Sequence, residues 1–263
     1  PLTQLVILVG WRQAVQNVGI LGFVMLVLMF FWIKERPKNA IKPVAQPINV
    51  IAAAKKAYFN TQYIRAAFYA SLMNMAIADF GAMMGTLYLV ERLDINSVQA
   101  SMVNGMLFLG AIIGSPLVGW ISDKMGLRIM PMRMGVIASL LTLLAVLYLP
   151  VSYSVMAFLF FLLGFFTSAQ VISYALVAES SPPAMTATAV SVISILTQGG
   201  YIVYQNLFSY LLTNHGGMHM VDGTPVYLLS AYQYAAIILP IGLLIAFLML
   251  FGLKETHCQH IKD

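Results

Sequence analysis

The sequence predicts an all-α membrane protein built from seven membrane-crossing helices. Three observations carry that reading. The 263 residues are 60% hydrophobic and only 9% charged, against about 25% charged in a soluble domain, so much of the outside must face lipid. Apolar runs that reach the roughly 20 residues a bilayer-spanning helix needs recur along the chain. The charges gather between those runs: 98–120 and 135–149 carry none, whereas the loop between them holds Asp123, Lys124 and Arg128.

The first crossing segment is 13–33. Residues 1–10 before it are apolar too and read as the end of an earlier helix, with Gly10, Trp11 and Arg12 as an interfacial turn and Trp11 at headgroup depth. The chain starts on Pro1, with no basic leader or small-residue cleavage site ahead of its first apolar run, so the expectation is a piece of a longer protein. The stretch 34–65 is the one long connection. Pro37, Pro43 and Pro47 break its first half; Ile51, Ala54 and Tyr58 then follow helical spacing. This predicts a tether ending in a short surface helix, with Tyr58, Phe59 and Tyr63 at the interface and Lys55, Lys56 and Arg65 reaching outward.

The remaining segments are 66–90, 98–120, 131–149, 152–178, 184–212 and 226–253. The turns 91–97, 150–151 and 179–183 are short, which forces neighbouring helices to run antiparallel. Segments 13–33, 131–149 and 226–253 are apolar almost all round and suit the lipid-facing periphery. The other four carry polar stripes at helical spacing. In the second segment, Ser71 and Asn74 fall in line with Gly81 and Gly85. In the third, Ser101, Asn104 and Ser115 share one face, and Gly110 and Gly114 on the opposite face let another helix approach closely. Thr167, Gln170 and Tyr174 group on the fifth. On the sixth, Ser191, Ser194, Gln198, Tyr201 and Gln205 form a polar face with no charge in it.

Charge bias sets the orientation. Lys34, Arg36, Lys38, Lys42, Lys55, Lys56, Arg65, Lys124, Arg128, Arg133, Lys254 and Lys262 fall on one side if the segments alternate, and Arg12 and Arg92 alone fall on the other. The first side is therefore expected to be cytoplasmic, including the linker and the tail 254–263, while the loop 213–225 faces out. The net charge of +5 does not point to nucleic acid, because the basic residues are not clustered with solvated aromatics. The single cysteine, Cys258, rules out an intrachain disulfide.

The loop 119–128 reads Gly-Trp-Ile-Ser-Asp-Lys-Met-Gly-Leu-Arg. Gly119 and Gly126 are expected to allow tight backbone, and Asp123, Lys124 and Arg128 to pair with one another or with a helix end. The pattern Gly-x-x-x-Asp-Arg/Lys-x-Gly-x-Arg resembles the signature loop of the major facilitator superfamily of transporters. Gly119, Asp123, Lys124, Gly126 and Arg128 match it; Leu127 departs, since most members have a basic residue there. One helix, a basic linker and six helices resemble that family's sixth helix, its central cytoplasmic loop and its C-terminal six-helix half. The resemblance implies that the polar helices line a central cavity, as the positions of their stripes allow. It also implies that Glu179, in Ala-Glu-Ser-Ser-Pro-Pro, pairs with the basic residues of the signature loop. The basic residue that usually follows the proline is replaced by Ala184 and Met185, which leaves Arg128 as the main partner. Asp123 is expected at the start of the next helix, where the positive end of the dipole favours it.

Asp79 is the one Asp, Glu, Lys or Arg deep inside a segment. A carboxylate at mid-depth costs roughly 2.5–3.5 kcal/mol on insertion scales. It is expected on the face of Met75, Ala82 and Thr86, as a proton or cation site or as a neutral acid bonded to a neighbouring helix. The expected solute and proton residues are Asp79, Asn74, Asn104, Gln170, Tyr174, Gln198, Tyr201 and Gln205. No metal or other cofactor is expected: His215 with His219, and His257 and Cys258 with His260, lack further ligands to complete a site. The chain has no phosphate-binding loop, nucleophile elbow or zinc-protease motif, and one buried acid cannot make an aspartyl protease, so an enzyme is not expected. What the resemblance implies is secondary transport of a small polar organic solute by alternating access, proton-coupled, in the cytoplasmic membrane together with a missing N-terminal half. The alternative is a self-contained seven-helix receptor or sensor.

Overall fold

The computed structural model describes residues 2–33, 50–221 and 224–260. Seven helices among these are long and apolar enough to cross a membrane, as an all-α membrane fold requires. The chain separates into two compact units, Pro1–Ile48 and Asn49–Asp263. The first contains α1 (Leu2–Val9) and α2 (Trp11–Trp32). The linker charges Lys34, Arg36, Lys38 and Lys42, its three prolines and Lys262 lie outside the described residues.

The second unit begins with α3 (Val50–Tyr58) and then runs into the first long helix of the bundle. That helix is composite: α4 (Thr61–Met73), a π-helical segment (Ile77–Met84) and α5 (Gly85–Leu93). Asn60 starts it, its side chain accepting from the N–H groups of Gln62 at 2.9 Å and Tyr63 at 3.4 Å, which satisfies two of the otherwise orphaned donors of the first turn. The helix therefore begins inside the stretch read as linker. Tyr63 is a correction to the sequence reading: it is buried, not interfacial, and its hydroxyl donates to Ser180 O at 3.0 Å. The cap fixes the phase of the helix and turns Tyr63 inward.

The other long helices are α6 (Ser97–Met125), α7 (Ile129–Tyr148), α8 with α9 (Tyr153–Thr167 and Ile172–Glu179, joined by the 3-10 turn Ser168–Val171), α10 (Thr186–His215), and α11 with α12 (Leu229–Ala235 and Ile238–Met249). Between α10 and α11 a short antiparallel hairpin pairs β1 (Met218–Val221) with β2 (Thr224–Tyr227), Met218 opposite Tyr227. The sequence predicts loop over 213–225 and a crossing segment from 226; the hairpin instead runs to Tyr227 and the helix starts at Leu229. Beside the hairpin, the His215 ring stacks on Tyr234.

Two devices hold the bundle together. The first is glycine-mediated backbone contact between α6 and α8. A Cβ on Gly110 would strike Phe161 O, and one on Gly164 would strike Leu107 O. The helices meet backbone to backbone, which suits a lipid setting where association rests on close packing. The second is a pair of buried tyrosines on the composite helix. Tyr69 donates to Met132 O at 3.0 Å and Tyr88 to Val146 O at 2.9 Å, both on α7. Each ring fills the core while its hydroxyl is satisfied by a carbonyl.

Candidate functional site

A cleft of about 410 Å³ lies between the composite helix, α9 and α10. Asn74, at the C-cap of α4, is its hub. Asn74 Oδ1 accepts from Gln170 Nε2 at 3.0 Å and from the Tyr201 hydroxyl at 3.4 Å, and its Nδ2 donates to Ala70 O at 3.4 Å. Tyr174, Ser194, Thr197 and Gln198 complete the polar wall, with Val171 beside them. Five of the residues nominated from sequence therefore meet here: Asn74, Gln170, Tyr174, Gln198 and Tyr201. Thr197 was overlooked, although it stands three residues after Ser194 and four before Tyr201, and so falls on the same helical stripe.

The other three nominees belong to a different feature, the π-helical segment. Asn104 Nδ2 donates to Gly81 O at 3.0 Å, and Gln205 Nε2 donates to Ala78 O at 3.3 Å. Two amides from neighbouring helices thus bond backbone carbonyls within the π-helical stretch. Asp79 sits in the same stretch, fully buried, and neither carboxyl oxygen has a hydrogen-bond partner among the described residues. The expected stripe of Ser71, Asn74, Gly81 and Gly85 does not hold as one face. Ser71 bonds Leu196 O and the Tyr204 hydroxyl on α10, at 2.9 and 2.8 Å. Gly81 and Gly85 instead face Phe108 and Asn104 on α6. The wider π turn rotates everything beyond it, so α-helical spacing misassigns the faces of Gly81 and Gly85.

The charged turn forms the second site. Arg128 is 6% exposed. Its Nε reaches Glu179 Oε1 and Oε2 at 3.2 and 3.1 Å, and its Nη2 reaches Oε1 at 2.5 Å. Its Nη1 donates to Asp123 Oδ1 at 2.6 Å and to Ser122 Oγ at 2.9 Å. Hydrogen bonding to Glu179 is the main cause that pushes the guanidinium pKa still higher, with Asp123 adding to it against the effect of burial, so the cation is permanent. Lys124 takes no ion-pair part among the described residues; its Nζ lies 5.1 Å from the centre of the Trp120 ring. Gly126 does adopt the left-handed conformation, with φ 65°, that ends α6. Gly119, by contrast, lies inside α6 with open space where a Cβ would go, so no tight backbone explains it here.

Asp123 is also a correction. It lies in the last turn of α6, not at the start of the next helix. The N-terminus of α7 is instead occupied by Glu255, from beyond the last crossing helix. Its carboxylate accepts from Arg128 N at 2.7 Å and Ile129 N at 2.8 Å. Burial raises the Glu255 pKa, but backbone N–H bonds from Ile129, Arg128, His257 and Thr256 outweigh it and hold the carboxyl below its ordinary range. Thr256 Oγ1 donates to Glu179 Oε2 at 2.5 Å, and Lys254 exchanges two hydrogen bonds with Gln62 across their backbone and amide groups, at 2.8 and 2.9 Å. These bonds stitch the tail to α4, α7 and α9, and Cys258 Sγ adds a contact to Ser122 O on α6 at 3.7 Å. One signal was available: α7 has no acidic residue in its first turn and no side-chain cap, so its free N–H groups called for an acceptor from elsewhere.

A family model described as Major Facilitator Superfamily matches residues 74–260. No curated protein matches the chain.

Proposed function

The chain belongs to the major facilitator superfamily, and on that premise we propose that it is part of a secondary transporter that moves a small polar organic solute by alternating access. The observation that carries this reading is the cleft around Asn74, where side chains from three crossing helices place uncharged polar groups against one another. Transport sites of this kind lie between helices that rock around a fixed centre. In this reading the unit 66–253 is the C-terminal half, joined through the cytoplasmic linker 34–65 to an N-terminal half that ends in the first crossing helix. Residues 254–263 are a cytoplasmic tail in the inner membrane protein. Asp79 supplies proton coupling: its complete burial and unpartnered oxygens suit a group that trades a proton as the helices move.

The test uses the full-length protein in membranes, with Cys258→Ser, any further native cysteine replaced likewise, and Gln198→Cys as reporter. A membrane-impermeant thiol reagent is added to one face at a time across a pH series. The expected result is labelling from both faces, with a ratio that shifts with pH and stops shifting when Asp79→Asn is added. Labelling from one face only is the outcome expected of a receptor and overturns transport. An unchanged pH response in the Asp79→Asn protein removes Asp79 from coupling.

A further inference from the structure

The polar wall of the cleft is unevenly satisfied, and the pattern selects a class of solute. Asn74 spends its amide on Gln170, Tyr201 and Ala70. Thr197 Oγ1 is the opposite case: the residue is 8% exposed and the hydroxyl finds no hydrogen-bond partner among the described residues. A buried hydroxyl left in that condition is costly unless a ligand completes it. Around it, the Tyr174 and Ser194 hydroxyls and the Gln198 amide also have no hydrogen-bond partner among the described residues, though all line the same cleft. Ser194, Thr197, Gln198 and Tyr201 follow one another along a single face of α10, a row about 10 Å long at roughly 1.5 Å per residue.

These groups have two common properties. Each one both donates and accepts, since hydroxyls and amides carry a proton and lone pairs together. None is charged, and among the described residues no Asp, Glu, Lys, Arg or His lines the cleft. A solute with a full charge placed against this wall would lose water there and gain no counter-ion from it, at a cost of several kcal/mol. A solute bearing a series of hydroxyls would match the row group for group, each hydroxyl giving one hydrogen bond and taking another. The volume lies within the roughly 300–1,000 Å³ of small-molecule pockets.

We infer that this cleft binds an uncharged polyhydroxylated solute, with Thr197 and Gln198 as the residues that recognise its hydroxyls. The inference rests on the transport reading for its purpose but is tested apart from it. Purified full-length protein is titrated with D-glucose, sorbitol, myo-inositol and glycerol, and with D-glucosamine and D-glucuronate as charged analogues of the same ring. Binding is read as a rise in unfolding temperature. The expected result is that at least one uncharged polyol binds and the charged analogues do not. Gln198→Ala and Thr197→Val should each weaken that binding by roughly two- to tenfold, the range for one hydrogen bond. Thr197→Val should do so without lowering the stability of the ligand-free protein, because it removes an unsatisfied group. The inference is overturned if no uncharged polyol binds, if a charged analogue binds as tightly, or if neither variant changes the affinity. Two-sided labelling at Gln198→Cys with no polyol binding would leave transport standing and remove this solute class. Polyol binding with one-sided labelling would do the reverse.

Discussion

Replacing Glu179 by Gln tests whether the charged turn holds one state of the molecule. The two partners are largely removed from water, with side-chain exposures of 8% for Arg128 and 12% for Glu179. Removing one member of a buried pair costs about 3–5 kcal/mol when the other charge is left uncompensated. Arg128 is not left so, because it keeps Asp123 and Ser122, which brings the expected loss to about 2–3 kcal/mol. If that energy belongs to one state of a two-state cycle, the ratio of states shifts by about 30- to 140-fold, at about 1.4 kcal/mol per tenfold. Asp123 provides an internal standard. Its side chain is 64% exposed, so Asp123→Asn should cost only about 0–1 kcal/mol and move the ratio less than tenfold. The assay is the two-sided labelling ratio at Gln198→Cys together with thermal unfolding of each variant in detergent. The exchange of Arg128→Glu with Glu179→Arg should recover little, because a glutamate at position 128 would stand beside the Glu255 carboxylate that holds the backbone there. Two results would refute the reasoning. If Asp123→Asn costs as much as Glu179→Gln, burial does not set the strength of the pair. If Glu179→Gln lowers the unfolding temperature and leaves the labelling ratio unchanged, the network supports the fold and holds no particular state.

Two further predictions follow from the packing and the tail. Glu255 has a folded pKa held below its unfolded value, so its contribution is present above about pH 4.3 and is lost as pH falls through the folded value; thermal unfolding between pH 6 and 3, as about those limits, should show a smaller acid loss for Glu255→Gln than for the parent protein. Gly164→Ala should destabilise the bundle by about 1–3 kcal/mol through overpacking, since its new Cβ meets Leu107 O, whereas Gly119→Ala has open space and should stay near neutral; equal losses in chemical unfolding would refute the close-approach reading.

The fold was legible because lipid simplifies the problem. A helix that must satisfy its own backbone for the width of a bilayer leaves a long apolar run in the sequence. All seven runs became crossing helices, with ends set by local chemistry that hydropathy does not see. Asn60 and Asn96 cap two of them by accepting backbone N–H bonds, which moves the starts upstream of the apolar residues. The cleft was legible in part for a related reason: an uncharged polar stripe on α10 has no reason to face hydrocarbon, and its members Ser194, Gln198 and Tyr201 converge with Gln170 and Tyr174, whereas Ser191 and Gln205 do not.

What periodicity could not supply was the change of phase inside the composite helix. A stretch of π-helix advances the chain by a different angle per residue, so every face assigned downstream by α-helical spacing is rotated. Asn104 and Gln205 look in sequence like lining residues of a cavity. In the structure their amides meet the carbonyls of Gly81 and Ala78, both within the π-helical segment. The two amides brace the π-helical segment from the helices on either side of it. Asp79 lies within this propped stretch and not within the wall of the cleft. Proton coupling through Asp79 would therefore have to reach the solute through the shape of the helix between them, which runs back from the π segment to Asn74 at the hub of the cleft.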